Sequence, residues 1–134
     1  MRLLDTNACI QLWQRKNLVV RRRFADHGPA DIALCSVVKA ELLYGAWRSI
    51  RIEKNLHLLT QLFAPLQSLP FDDAAAEHYA QIRSNLAAQG RLIGANDLLI
   101  AAIARAHNAI LITHNADEFS RVDGLLMEDW ELAQ

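Results

Sequence analysis

A short, wholly apolar run constrains the fold of this chain more than any other feature. From Leu98 to Ala104 every side chain is apolar, and the polar pair Asn96 and Asp97 comes directly before the run. The run is too short to span a bilayer and too uniform for a helix with one face in water. It therefore predicts a buried helix. Asn96 or Asp97 can cap this helix, and a carboxylate fixed at its start is also well placed to hold a cation.

The length and composition are typical of one soluble globular domain. The 134 residues suffice for one core and are too few for two, so we expect a single domain over residues 1–134. Hydrophobic residues make up 52% of the chain and charged residues 22%, and no apolar run has membrane-spanning length. Arg2 and Asp5 interrupt the one N-terminal stretch with signal-sequence character, so we expect a cytoplasmic protein. Cys9 and Cys35 lack metal-ligand spacing, so we expect reduced thiols in the core.

Short apolar stretches alternate with helical patterns along the chain. The predicted strands cover residues 1–4, 32–35, 67–71, 109–113 and 125–127. Pro70 confines the third strand to an edge of a sheet, because proline cannot donate to a central ladder. The intervening patterns repeat apolar residues at helical intervals. This alternation predicts an α/β fold, a three-layer α/β/α domain with a central parallel sheet of four to five short strands.

Polar residues follow two of the predicted strands. Asp5 comes directly after the first strand, and Thr113 and Asn115 lie at the end of the strand over residues 109–113. Ligands bind beyond the carboxyl ends of parallel strands. We therefore expect Asp5 and Asn115 to lie beside the same crevice, although Asp5 is equally suited to capping the next helix.

Glu41 lies within an apolar face of a predicted helix, with Val38 before it and Tyr44 one turn after it. A buried ionised carboxylate needs a partner, because burying the charge alone is costly. Either a cation or an arginine would meet that need. In the predicted architecture Glu41 and Asp97 each lie near the start of a helix on the same side of the sheet as Asp5.

These positions together predict a divalent metal site. Asp5, Glu41 and Asp97 carry like charges that repel one another unless a hard cation neutralises them. Oxygen ligands suit Mg²⁺ or Mn²⁺, whereas zinc favours histidine and cysteine. The five histidines show no metal-ligand spacing, and no glycine-rich phosphate loop is present. The sequence therefore disfavours both a zinc site and a nucleotide-cofactor enzyme.

Four motifs occur in a fixed order along nearly the whole chain. They are the run Leu4-Asp5-Thr6-Asn7, the segment KAELLYG around Glu41, the segment GANDLLIAA around Asp97, and THNADEF from Thr113 followed by RVDGLLMEDW. In this order and spacing they resemble the PIN-domain ribonucleases, and most closely the VapC toxins of bacterial toxin–antitoxin pairs. The resemblance implies a Mg²⁺- or Mn²⁺-dependent endoribonuclease, usually a homodimer, that cleaves RNA such as tRNA, initiator tRNA among them, and is inhibited by a VapB-type antitoxin.

The resemblance also implies roles for individual residues. Asp5 and Asp97 would bind the metal directly, Glu41 would be a third acidic member, and Thr113 and Asn115 would be polar groups at the rim of the site. Many PIN domains have an acidic residue where this chain has Asn115. That difference predicts a less negative site, which holds one metal firmly and a second weakly or only with RNA.

The net charge of −1 gives no overall preference for nucleic acid. Local basic clusters must therefore contact RNA, and a two-fold dimer would join two of them in one groove. The candidates are Arg21, Arg22, Arg23, Arg48, Arg51, Arg91 and Arg121.

Two other functions share this fold. One is a catalytically weak PIN-like module that only binds protein or RNA, which Asn115 favours and the acidic trio disfavours. The other is a metal-dependent phosphatase acting on small molecules, which only the motif match disfavours.

Overall fold

A computed structural model describes residues 1–14 and 17–132 of the chain; residues 15–16 and 133–134 of the predicted domain lie outside the described part. Five parallel strands form one sheet in the order β3-β2-β1-β4-β5. The strands are β1 (Arg2–Leu4), β2 (Ile32–Cys35), β3 (Gln67–Leu69), β4 (Ile110–Ile112) and β5 (Leu126–Glu128). The predicted three-layer α/β/α fold with a central parallel sheet is confirmed. β3 lies at the predicted edge, but it ends at Leu69, so Pro70 lies just outside the strand.

Helices connect the strands and cover the sheet. They are α1 (Thr6–Trp13), α2 (Leu18–Asp26), α3 (Ser36–Trp47), α4 (Ile52–Phe63), α5 (Asp73–Ala88), α6 (Ala95–Ala106) and α7 (Ala116–Phe119), with a short 3-10 turn at Pro29–Asp31. Within the described ranges, none of these helices combines the length and the apolar character that crossing a membrane requires.

Helix α6 is buried as the apolar run predicts. Leu98 and the run from Ile100 to Ala104 are all buried, because α6 packs between α5 and the remainder of the core. The prediction that Asn96 or Asp97 caps this helix was wrong. Gly94 is the N-cap residue, and its carbonyl oxygen already accepts the Leu98 N–H at 2.9 Å. Asp97 lies in the first turn of the helix, with its Oδ2 near Gly94.

The order of the strands determines where a ligand can bind. β1 pairs with β2 on one side and with β4 on the other, so the connections run in opposite directions from β1. Such a reversal opens a crevice at the carboxyl ends of the two diverging strands. Leu4 pairs with Ile112 in register, which brings Asp5 and Thr113, the residues that follow them, to this crevice.

Candidate functional site

Asp5 lies at the carboxyl end of β1 and is 5% exposed. Its Oδ1 accepts a hydrogen bond from the Ala8 N–H at 2.8 Å, which makes Asp5 the N-cap of α1. Burial raises the pKa of Asp5, and the negative charges of Glu131 and Glu41 raise it further, whereas the nearby side chain of Thr113 acts in the opposite direction. Asp5 therefore serves as a helix cap and also faces other carboxylates across the crevice.

Glu41 is half-buried on α3, and its carboxylate accepts a hydrogen bond from a hydroxyl group. The Thr6 Oγ1 donates to its Oε1 at 2.7 Å, which joins the start of α1 to α3. No ion pair within residues 1–14 and 17–132 involves Glu41. The arginine partner considered from the sequence is thus not found in that part of the chain, and the charge of Glu41 faces Asp5 and Asp97 without a cationic side chain against it.

Asp97, in the first turn of α6, lies beside the side chain of Glu118. Burial, the contact with Glu118 and the charges of Glu118, Glu41 and Asp5 raise the pKa of Asp97 to about 7. Around neutral pH, Asp97 is therefore protonated in a large fraction of the molecules, and this proton relieves the repulsion between Asp97 and its carboxylate neighbours.

Asn115 comes after β4 and is exposed at the rim of the crevice. Its Nδ2 donates to Glu118 Oε2 at 2.9 Å, and its backbone N–H donates to Thr113 Oγ1 at 2.9 Å. The amide therefore orients Glu118 toward Asp97. A carboxylate at position 115 would instead repel Glu118.

The four predicted site residues lie around one crevice. The charges of Asp5 and Glu41 both help to raise the pKa of Asp97, so the three carboxyl groups lie near one another. Asn115 joins this group through its hydrogen bond to Glu118. Glu118 is the acidic residue to which the sequence interpretation gave no role. The sequence did contain a signal for Glu118, which is an acidic residue in the first turn of a helix that follows a strand. Such a helix begins at the carboxyl edge of the sheet, where ligands bind.

The candidate RNA-contacting arginines are not all free for that role. Arg121 donates from Nη1 to the backbone carbonyl oxygens of Arg91 at 3.4 Å and Leu92 at 3.3 Å, which holds the loop before α6. The guanidinium of Arg48 lies over the ring of Tyr44, 5.4 Å from its centroid. Arg121 thus supports the loop that leads into Asp97, whereas Arg48 is exposed at the C-cap of α3.

The raised pKa of Asp97 predicts how the stability of the metal-free protein depends on pH. The pKa of Asp97 is about 7 in the folded protein against an ordinary value of 3.8, so between these values the folded state binds more protons than the unfolded state. The free energy of unfolding should therefore fall as the pH rises from about 4 to about 7. Asp5, whose pKa is also raised, contributes with the same sign. Urea unfolding in the presence of a chelator, at a series of pH values, measures this slope.

Asp97→Asn is the matching control, because asparagine does not titrate and can still donate to Glu118. The slope between about pH 4 and pH 7 should become markedly shallower in this variant. An equal slope in the variant and the unsubstituted protein would contradict the assignment of this titration to Asp97.

Comparison with known proteins identifies close relatives of this chain. The family model described as PIN domain matches residues 2–125. A protein of Shigella flexneri named tRNA(fMet)-specific endonuclease VapC is 42% identical over 128 residues, covering 96% of each chain. A protein of Haemophilus influenzae named Ribonuclease VapC2 is 37% identical, also over 96% of each chain.

Solved structures give the same result for the fold. The chain superimposes on a DNA-bound VapBC structure from Salmonella typhimurium with a TM-score of 0.91 and 36% identity, over 96% of this chain and 97% of that one. VapBC2 from Rickettsia felis, bound to a DNA fragment from its promoter, gives a TM-score of 0.88 with 34% identity, over 96% of this chain and 98% of that one.

Proposed function

The chain belongs to the PIN-domain family and within it to the VapC ribonucleases, and from this premise we propose that it is a Mg²⁺- or Mn²⁺-dependent endoribonuclease toxin. Residues 1–134 form a single PIN domain that acts in the cytoplasm. It cleaves tRNA, with initiator tRNA as the substrate, and thereby stops translation and growth. A cognate VapB-type antitoxin neutralises it.

One observation carries this proposal: burial and the carboxyl groups of three other segments, those of Glu118, Glu41 and Asp5, raise the pKa of Asp97 to about 7. Removing the proton of Asp97 at neutral pH would leave a cluster of like charges that only a cation can stabilise. The groups facing the crevice are carboxylate, hydroxyl and amide oxygens, which are the ligands of a hard divalent ion. The residues present therefore fit Mg²⁺ or Mn²⁺.

We assign the following roles to the side chains. Asp5 and Asp97 bind the metal directly, and Glu41 is the third acidic group, held in place by the Thr6 hydroxyl. Asn115 acts through Glu118, a fourth carboxylate that compensates for the acidic residue missing at position 115. When bound, the divalent ion lowers the pKa of the attacking water and neutralises negative charge at the scissile phosphate. Hydrolysis then leaves a 5′-phosphate and a 3′-hydroxyl.

The substrate and the partner follow from the relatives. The relative from Shigella flexneri is named for tRNA(fMet), which supports initiator tRNA as the substrate here. The matching solved structures are complexes with an antitoxin, which supports a VapB-type partner. Exposed apolar side chains on and after α3, among them Tyr44 and Trp47, each 63% exposed, support assembly with another chain. We therefore also propose a homodimer.

A second candidate is a catalytically weak module that binds RNA or protein through the same fold. Asn115 favours it, because an amide replaces a carboxylate at the rim. The contact between Asn115 and Glu118 disfavours it, because a carboxylate still reaches Asp97 from this side of the crevice.

Expression of the chain without an antitoxin in a bacterium distinguishes the two candidates. We expect growth arrest together with cleaved initiator tRNA whose fragments begin with a 5′-phosphate. Asp5→Asn should abolish both effects, because it removes the charge of a metal ligand and keeps the N-cap, for which asparagine is as good as aspartate. Sequencing the fragment ends identifies the bond that is cut. Normal growth with abundant folded protein, or equal arrest by Asp5→Asn, would contradict the nuclease function.

A further inference from the structure

His114 is an exposed residue between two members of the candidate site. Thr113 before it lies beside Asp5, because Leu4 and Ile112 pair in register, and Asn115 after it hydrogen-bonds to Glu118. The side chain of His114 itself is 54% exposed. The imidazole therefore lies at the rim of the acidic crevice, where it is accessible to a substrate.

The C-terminal segment fixes the orientation of this imidazole. Nδ1 of His114 lies 2.8 Å from Asp129 Oδ2 and 3.7 Å from Glu131 Oε2. An ionised carboxylate only accepts hydrogen bonds, so Nδ1 carries the proton in this contact. Trp130, between the two acidic residues, is 2% exposed and stacks on His27 with ring centroids 5.3 Å apart. A buried aromatic side chain thus anchors the segment that holds His114.

The other ring nitrogen is unused. Within residues 1–14 and 17–132 no protein atom hydrogen-bonds to Nε2 of His114. The hydrogen bond to Asp129 and the charges of Glu131 and Asp129 raise the pKa of His114, and the charge of Asp5 adds to this effect. A cationic ring held by Nδ1 leaves an N–H group at Nε2 that can donate to an anion.

We propose that His114 is a substrate-contacting residue, which donates from Nε2 to a phosphate of the bound RNA next to the scissile bond, and that Asp129 is the positioning residue for its ring. This inference rests on the proposed nuclease function and adds a residue to it. The acidic crevice repels the phosphates of RNA on either side of the bond to be cut. A cation at the rim offsets this repulsion in a chain whose net charge is −1.

The test uses the full chain and an RNA hairpin with the sequence of the initiator tRNA anticodon stem-loop. In His114→Asn the amide nitrogen can replace Nδ1 as the donor to Asp129, whereas nothing replaces Nε2. We expect the RNA dissociation constant, measured with Ca²⁺ in place of Mg²⁺, and the KM for cleavage to rise about tenfold, with kcat nearly unchanged. The slope of log affinity against log salt should become shallower by about 0.7, the value for one lost phosphate contact.

Two further variants separate this role from general effects. Asp129→Asn keeps an acceptor for Nδ1 but removes its charge, so KM should rise by a smaller factor and should not rise further when His114→Asn is already present. His57→Asn removes an exposed histidine on α4 and should change neither KM nor the salt slope.

Three results would overturn the inference. One is an unchanged RNA affinity in His114→Asn. Another is weaker binding with an unchanged salt slope, since the lost contact would then not involve a phosphate. The last is a weaker affinity of His114→Asn for Mn²⁺ alone, since the cluster of His114, Asp129 and Glu131 would then serve an ion. Wild-type protein that binds the hairpin without cutting it contradicts the nuclease function, and the comparison of affinities still tests His114.

Discussion

Asp97→Asn is expected to lower the rate of RNA cleavage at least a hundredfold, equivalent to about 3 kcal/mol in the activation barrier. Asp97 is the carboxyl group whose pKa reflects every other acidic member of the site. The amide is nearly isosteric and can donate to Glu118, but it carries no charge with which to bind a divalent ion. The free energy of unfolding of the metal-free variant at pH 8 should be equal to or higher than that of the unsubstituted protein, because a repulsive charge is lost.

A matched control is available close to the same site. Asp117→Asn makes the same chemical change on α7, at an exposed residue next to Glu118. Single-turnover cleavage of the initiator tRNA hairpin, with circular dichroism of each variant, compares the two. Cleavage by Asp97→Asn at the rate of the Asp117→Asn control would exclude Asp97 as a metal ligand.

Much of the fold could be predicted because local patterns determine it. Residues 32–35 are apolar throughout, as expected for a parallel strand buried on both faces, and β2 has the predicted bounds. Asp5 could be placed at the crevice because a strand of known direction ends at it. The edge position of β3 was predicted from Pro70 and is correct, although the strand ends at Leu69 and the proline lies outside the ladder.

The contacts within the site could not be predicted in the same way. The hydrogen bond between Thr6 and Glu41 joins residues 35 positions apart, and no local pattern specifies it. Asp97 and Glu118 lie on different helices, α6 and α7, so no local pattern specifies that their side chains meet. An arginine was one expected partner for Glu41, because a buried charge needs a partner. In the structure a hydroxyl group donates to Glu41, and the charge faces other carboxylates.

Removal of divalent metal is expected to reduce cleavage about a thousandfold or more, on the order of 4 kcal/mol in the activation barrier. Without a cation the carboxylates of Asp5, Glu41 and Asp97 repel the RNA backbone and also one another. Dialysis against a chelator followed by titration with Mg²⁺ or Mn²⁺ should restore the rate. Zinc should restore it poorly, because the predicted ligands are all oxygen atoms.

The effect of metal on the stability of the folded protein gives a second measurement of metal binding, one that does not involve RNA. A metal at about a hundred times its dissociation constant raises the free energy of unfolding by about 2.7 kcal/mol. Protons compete for Asp97, whose pKa is about 7, so Mg²⁺ should stabilise the protein strongly at pH 8 and much less at pH 5. Asp97→Asn should show little stabilisation at either pH. Stabilisation by Mg²⁺ that is equal at the two pH values and retained in this variant would mean that the ion binds away from the crevice, and the acidic residues would then need another explanation.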